Sequence, residues 1–376
     1  MRYWSLTRRE FLGLTVAALA ELAVKGCVPL ELGKDSFAVE NNYLSLGPEQ
    51  TVDLARQGIE NYPDTRMPFI TLESGVKRYF VSANQRSYAV DCSNPLDFPG
   101  KKFVEVFGPN REVPHRNGYA TVNSVLNLDA KNPDHLTGIA HYERHKETAT
   151  GLDWRDYTGS IGMVESFDSG LSWEDKGVIL SSKNAIEPGN GRVSGVGQPC
   201  AIARQVEGQN YVYIYYLNSN TFNICLSRAP IVSGNIGRFE HWTKYNRFEQ
   251  GEQINPETSK VIIPAPDTIK SKDKHTALPS ITVHGDELWM IYETNESFKV
   301  CRSKNGIDWS NHETAFAFPS ELYPPIPGQE WYSNPTLLSA SESNDQSIGK
   351  EGYLIYSKGI RYQKPHFMGI RKFTVK

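Results

Sequence analysis

The sequence predicts an all-β fold, a β-propeller whose five blades are four-stranded antiparallel sheets. Two observations point there: a three-part unit of short apolar strands that recurs five times, and a composition rich in aromatics and turn formers. The first strand of the unit opens on Pro or a small polar residue, as in RMPFITL from Arg66, VNSVLNL from Val122, GQPCAIA from Gly197, LPSITV from Leu278 and SNPTLLS from Ser333. An aromatic second strand follows: KRYFVSAN, LTGIAHYE, YVYIYYLN, ELWMIYET and GYLIYSKG. The third strand ends in serine in YAVDCS, GSIGMVES, FNICLS and FKVCRS, and MGIRKF closes the fifth copy less faithfully. No single unit can bury both faces of its own sheet, whereas five stacked about an axis can.

Composition removes several functions. In 376 residues, 40 Lys and Arg stand against 43 Asp and Glu, so no strong positive field draws nucleic acid or anionic lipid. The 19 Tyr, 16 Phe and 7 Trp suit strands rather than long helices. Cys92, Cys200, Cys225 and Cys301 match no zinc or redox spacing. Three of them fall at equivalent places in the repeat, which reads as small buried apolar residues rather than bridges. The sequence shows no cofactor motif and no set of metal ligands.

Residues 1–27 read as a twin-arginine export signal, with Arg8 and Arg9 ahead of an apolar run from Phe11 to Val24. That run is too short for a transmembrane helix and is interrupted by Glu21. The expected location is periplasmic or extracellular. Val24-Lys25-Gly26-Cys27 loosely resembles a lipoprotein processing site, which would place a lipid anchor on Cys27. Residues 28–63 form an N-terminal arm, and residues 64–376 the propeller.

The stretch SFDSGLSW, Ser166 to Trp173, ends the third strand of the second unit. Asp168 is placed to bond amides of its own turn, Gly170 supplies a positive φ, and Trp173 packs between neighbouring sheets. SKNGIDW, Ser303 to Trp309, repeats the device one residue shorter. This turn resembles the Asp-box of sialidases, and the repeated units resemble five-bladed glycoside hydrolases of the arabinanase, levansucrase and invertase type, over residues 64 to 376. The resemblance implies a carbohydrate partner. It also departs from those enzymes: they carry catalytic acids at or near the starts of first strands, where this chain has Met67, Asn123, Gln198, Leu278 and Asn334. No catalytic triad transfers.

First-strand starts and second-strand ends meet on one face of a propeller. That face receives Arg66, Asn123, Gln198 and Asn334 from the first, and His141, Tyr142, Glu143, His145, Tyr216 and Glu293 from the second, with Tyr332 beside them. Glycoside cleavage calls for two carboxyl groups, one protonated and one ionised. Glu143 and Glu293 are the first candidates, and Asp64, the acidic residue nearest the first-strand start, is the third. Arg66, Asn123, His141, Tyr142, His145, Gln198, Tyr216, Tyr332 and Asn334 are the candidate substrate contacts. The two glutamates have an alternative as rim salt bridges, and the histidines read as structural or substrate-bonding rather than metal ligands.

Three functions remain open on the sequence. One is an exported glycoside hydrolase acting on a polysaccharide or oligosaccharide. The second is a sialidase-like hydrolase, with Arg66-Met67-Pro68 resembling the sialidase arginine motif. The third is a non-catalytic sugar-binding propeller.

Overall fold

The computed structural model describes residues 41–376 except 150, 190, 252, 256–257, 265–275, 320–327 and 361–362; the segment expected to be an export signal and Cys27 lie outside the described residues. Five blades follow one another along the chain, the second and third joined into one sheet by a short parallel pairing of Ser194 and Gly195 with Thr158 and Gly159. Blade one is Phe69–Thr71, Lys77–Ala83, Arg86–Cys92 and Val104–Phe107. Blade two is Tyr119–Leu126, Leu136–Thr148, Gly151–Ser166 and Glu174–Ser182. Blade three is Ser194–Val206, Gln209–Asn218 and Asn223–Val232, its outer edge divided between Glu240–Trp242 and Val261–Ile263. Blade four is Thr276–His284, Glu287–Thr294, Ser297–Ser303 and Ser310–Ala317. Blade five takes Glu330–Ser339, Glu351–Ile360 and Phe367–Val375, and receives Leu44–Val52 as its outer strand. An early segment thus completes the last blade, joining the two ends of the ring by backbone hydrogen bonds.

Each blade is covered on both faces, which is why its strands read as nearly continuous apolar runs. The middle strand of blade three makes this explicit. Val212, Ile214 and Tyr216 pack towards blade two, against Ile139 and Ile161, while Tyr213 and Tyr215 pack towards blade four, against Ile281 and Met290. Equivalent clusters fill the interfaces of blades one with two, four with five and five with one. At about 25 cal/mol per Å² of apolar area removed from water, these seams are the main source of stability.

The two tryptophan turns fasten adjacent sheets. Asp168 Oδ1 accepts from the backbone N–H of Leu171 (3.0 Å) and Ser172 (2.9 Å), Gly170 has φ 85°, and Trp173 meets Phe80 of blade one edge-on at 5.8 Å. In blade four Asn305 accepts from Ile307 and Asp308, and Trp309 meets Tyr215 of blade three at 5.7 Å. All four described cysteines are buried and unpaired by disulfides. Among the described residues no helix is long and apolar enough to cross a membrane.

The inner strands of blades two to five each carry a register irregularity near the top face, at Val122/Ser124, Gly197/Cys200, Ala277/Ser280 and Ser333/Thr336. Gln198, Leu278 and Asn334 sit there with φ of 51°, 57° and 60°. These bulges re-aim the residues at the strand starts, as bulges beside sites commonly do.

Candidate active site

A cavity of about 340 Å³ opens where blades one, two and three meet. Asp64 and Thr65 enter it from the approach to blade one, Gln85 from a turn of that blade, Tyr119, His141, Glu143 and Tyr157 from blade two, and Gln198 from blade three. The long hairpin of Leu136–Thr148 and Gly151–Ser166 supplies His141, Glu143 and Tyr157.

Strand alternation decides which parts of HYERH reach it. His141, Glu143 and His145 share one face of the strand, and Tyr142 points to the other. Tyr142 is therefore not a substrate contact as the sequence suggested: it is fully buried between blades one and two, its hydroxyl donating to Asp175 Oδ1 at 2.8 Å. Tyr216 is corrected for the same reason, being sealed in the seam between blades two and three.

Glu143 is held by both of its oxygens. His141 Nε2 lies 2.9 Å from Oε1 and His145 Nε2 lies 2.7 Å from Oε2. Two glycines admit these rings: a Cβ on Gly197 would stand 2.2 Å from His141 Cε1, and one on Gly118 would stand 2.3 Å from His145 Cδ2. Burial pushes the Glu143 carboxyl up, but the hydrogen bonds and charges of the two imidazoles outweigh it and bring it down to about 2. Asp64 goes the opposite way. Burial first, and then the negative charge of Glu143, raise it to about 7, against weaker opposing effects from Tyr119 and Lys364. The cavity therefore holds one carboxyl that keeps its proton towards neutrality and another that has lost it, the division of labour that acid–base chemistry needs.

The other candidates lie elsewhere. Glu293 is buried in blade four and accepts from Ser333 Oγ at 2.6 Å, outside the cavity lining. Arg66 is not free to meet a substrate: it pairs with buried Asp345 and donates to Ser280 Oγ, Ser124 Oγ and the carbonyls of Asn123, Ile281 and Asp345. It is an axial tie between blades. Asn123 is buried and accepts from Thr121 Oγ1, and Asn334 Nδ2 donates to the Pro63 carbonyl at 2.9 Å. Tyr332 packs in the seam of blades four and five, stacked on Phe318. None of these four candidate contacts lines the cavity, because each turns into a seam or towards internal partners instead.

Tyr119, Tyr157, Thr65 and Gln85 line the cavity without having been singled out from sequence. Tyr119 was within reach, since it begins the inner strand of blade two. Tyr157 was not, because only the hairpin's unusual length lifts a third strand to this height. Among the described residues no cluster of three His, Cys, Asp or Glu side chains is arranged to hold a metal ion.

Fold and site together define a five-bladed propeller with a cavity, between its first three blades, bearing two unlike carboxyl groups. No protein-family model matches the chain, and no curated protein matches it. Solved structures do. A GH62 hydrolase in complex with xylotriose matches over 89% of this chain and 98% of its own, with 10% identity and a TM-score of 0.52. A family 117 glycoside hydrolase of the marine bacterium Zobellia galactanivorans covers 88% and 90% at 11% identity, with a TM-score of 0.48. An exo-1,5-α-L-arabinanase from a bovine ruminal metagenomic library covers 84% and 98% at 11% identity, with a TM-score of 0.47. The chain has the propeller fold on which the GH62 hydrolase is built; at this identity the likeness is one of fold.

Proposed function

We propose that the protein is a glycoside hydrolase in which Asp64 is the proton donor and Glu143 the ionised partner. The observation that carries this reading is the pairing, in one cavity, of a carboxyl raised to about 7 with one lowered to about 2. In such a reaction Asp64 gives its proton to the glycosidic oxygen as the bond to the anomeric carbon breaks. Glu143 faces the positive charge that develops on the sugar, and one water supplies the new hydroxyl and restores the lost proton. Tyr119 and Tyr157 offer aromatic faces to a sugar ring, and Gln198 and Gln85 offer amide groups to its hydroxyls.

The substrate class is a polysaccharide or oligosaccharide, and the xylotriose bound by the similar GH62 hydrolase makes xylan-type chains the first to try. The sialidase-like reading has lost its main support, because the guanidinium of Arg66 is spent on internal partners. A non-catalytic sugar-binding propeller keeps less support than the sequence offered, because of the three inner-strand amides only that of Gln198 lines the cavity, while Asn123 and Asn334 are turned to Thr121 and the Pro63 carbonyl. Export by residues 1–27 and lipidation at Cys27 remain part of the proposal, read by the mass of the mature chain.

The test is hydrolysis of aryl glycosides and of xylo- and arabino-oligosaccharides by the native protein and by Asp64→Asn and Glu143→Gln. Loss of at least about 100-fold in kcat/KM in both variants supports the assignment. Binding without turnover by the native protein selects the non-catalytic reading, and cleavage of an aryl sialoside alone selects the sialidase.

A further inference from the structure

The hydrogen bonds around Glu143 fix where protons sit. The backbone N–H of Gln198 donates to His141 Nδ1 at 3.0 Å, so His141 carries its proton on Nε2 and donates it to Glu143 Oε1. His145 differs. Its Nδ1 lies 3.0 Å from the carbonyl oxygen of Asp153, which can only accept, so that nitrogen bears a proton. Its Nε2 lies 2.7 Å from Glu143 Oε2, a contact that needs a second one. Either the carboxylic acid donates to an imidazole or an imidazolium donates to a carboxylate. The N–H already arriving at Oε1 from His141 favours the carboxylate.

The geometry points to His145 as a standing imidazolium behind Glu143: a positioning residue that keeps Glu143 ionised, so that Asp64 holds the transferable proton of the cavity. Its side chain is 0% exposed and so does not reach substrate; it acts through Glu143, which is 12% exposed. This inference rests on the reading of Asp64 and Glu143 as the working pair. The titratable groups facing them agree. His141 acts on Glu143 alongside His145, the Glu143 charge in turn acts on Asp64 and Tyr119, and Asp153 and the ring of Tyr157 (5.0 Å) face His145. Burial opposes a charge on His145, but the hydrogen bond and charge of Glu143, helped by Asp153, raise its proton affinity above the usual histidine value.

Two measurements test this. In the native protein, ¹⁵N spectra of imidazole-labelled chain at pH 7.5, with the ring assigned to His145 through bonds, are expected to show both nitrogens protonated; a singly protonated ring overturns the proposal. This arm needs neither a variant nor a substrate, so it stands even if no glycoside is hydrolysed and the proposed function falls. In the second, the acidic limb of the kcat/KM profile is expected to rise by about 1–3 pH units in His145→Gln, with kcat at the optimum reduced far less than in Glu143→Gln. An acidic limb that stays at the native position overturns the positioning role.

Discussion

Replacing Asp64 by Asn is expected to abolish activity and yet stabilise the protein, by an amount that grows with pH. The sign follows from linkage. Asp64 is raised from 3.8 to about 7 in the folded chain, so the native state keeps a proton that the unfolded state has released. Stability is therefore fully present below about pH 4 and is lost as pH climbs through 7. At about 1.4 kcal/mol per unit, a shift of roughly three units costs about 4 kcal/mol above pH 8. The half-buried position of Asp64 admits some solvent screening, which brings the working figure to about 2–4 kcal/mol. For roughly 340 folded residues, with an unfolding entropy of about 2.1 cal/mol/K each, that is a rise in Tm of about 3–6 °C. The assay is calorimetric unfolding of native and Asp64→Asn protein at pH 4, 6 and 8.5, with hydrolysis measured on the same samples. A Tm difference that is flat across this range, or a variant less stable than the native chain at pH 8.5, refutes the reasoning.

Other expectations follow from the fold. Arg66→Met leaves buried Asp345 without its cation and is expected to cost about 3–5 kcal/mol, with part recovered in the double variant Arg66→Met/Asp345→Leu, both read by denaturant titration. Asp168→Ala removes the acceptor for two backbone N–H groups and two serine hydroxyls, and is expected to cost about 1–2 kcal/mol with kcat/KM unchanged. Cys92 and Cys225, pushed up to about 12 by burial, and the equally buried Cys200 and Cys301 are expected to resist thiol reagents until the chain unfolds, as mass mapping of labelled peptides would read.

The architecture was legible because five copies of one apolar three-strand unit leave few alternatives, and because each short strand carries its own turn signals. The outer strand of blade five was not. LSLGPEQTV alternates weakly and reads as a solvated arm until its partner, more than three hundred residues along, is seen. At the site, the rule that strand ends gather on one face leads to Glu143, His141 and Gln198 in the cavity lining, while His145, expected to touch substrate, lies behind Glu143 with its side chain 0% exposed. Tyr142 and Tyr216 were misplaced because that rule ignores the two-residue alternation, which turns neighbours of a site residue into a seam. Arg66 and Glu293 sat at the right height but were consumed by internal partners, Asp345 and Ser333, that only three-dimensional contact reveals. Asp64 ranked behind Glu293 for want of any sequence sign that Glu143 would be its neighbour. Gly197 belonged to a glycine-rich loop in the sequence; in the fold its missing side chain is the space the His141 ring occupies.

The most direct measurement is a crystal structure of the Glu143→Gln variant with an oligosaccharide that the native protein cleaves. The expected density places a glycosidic oxygen within about 3.2 Å of the Asp64 carboxyl, with a sugar ring between Tyr119 and Tyr157. A saccharide bound out of reach of Asp64, beside Glu293 or along another blade, would contradict the assignment of this cavity as the site of bond cleavage.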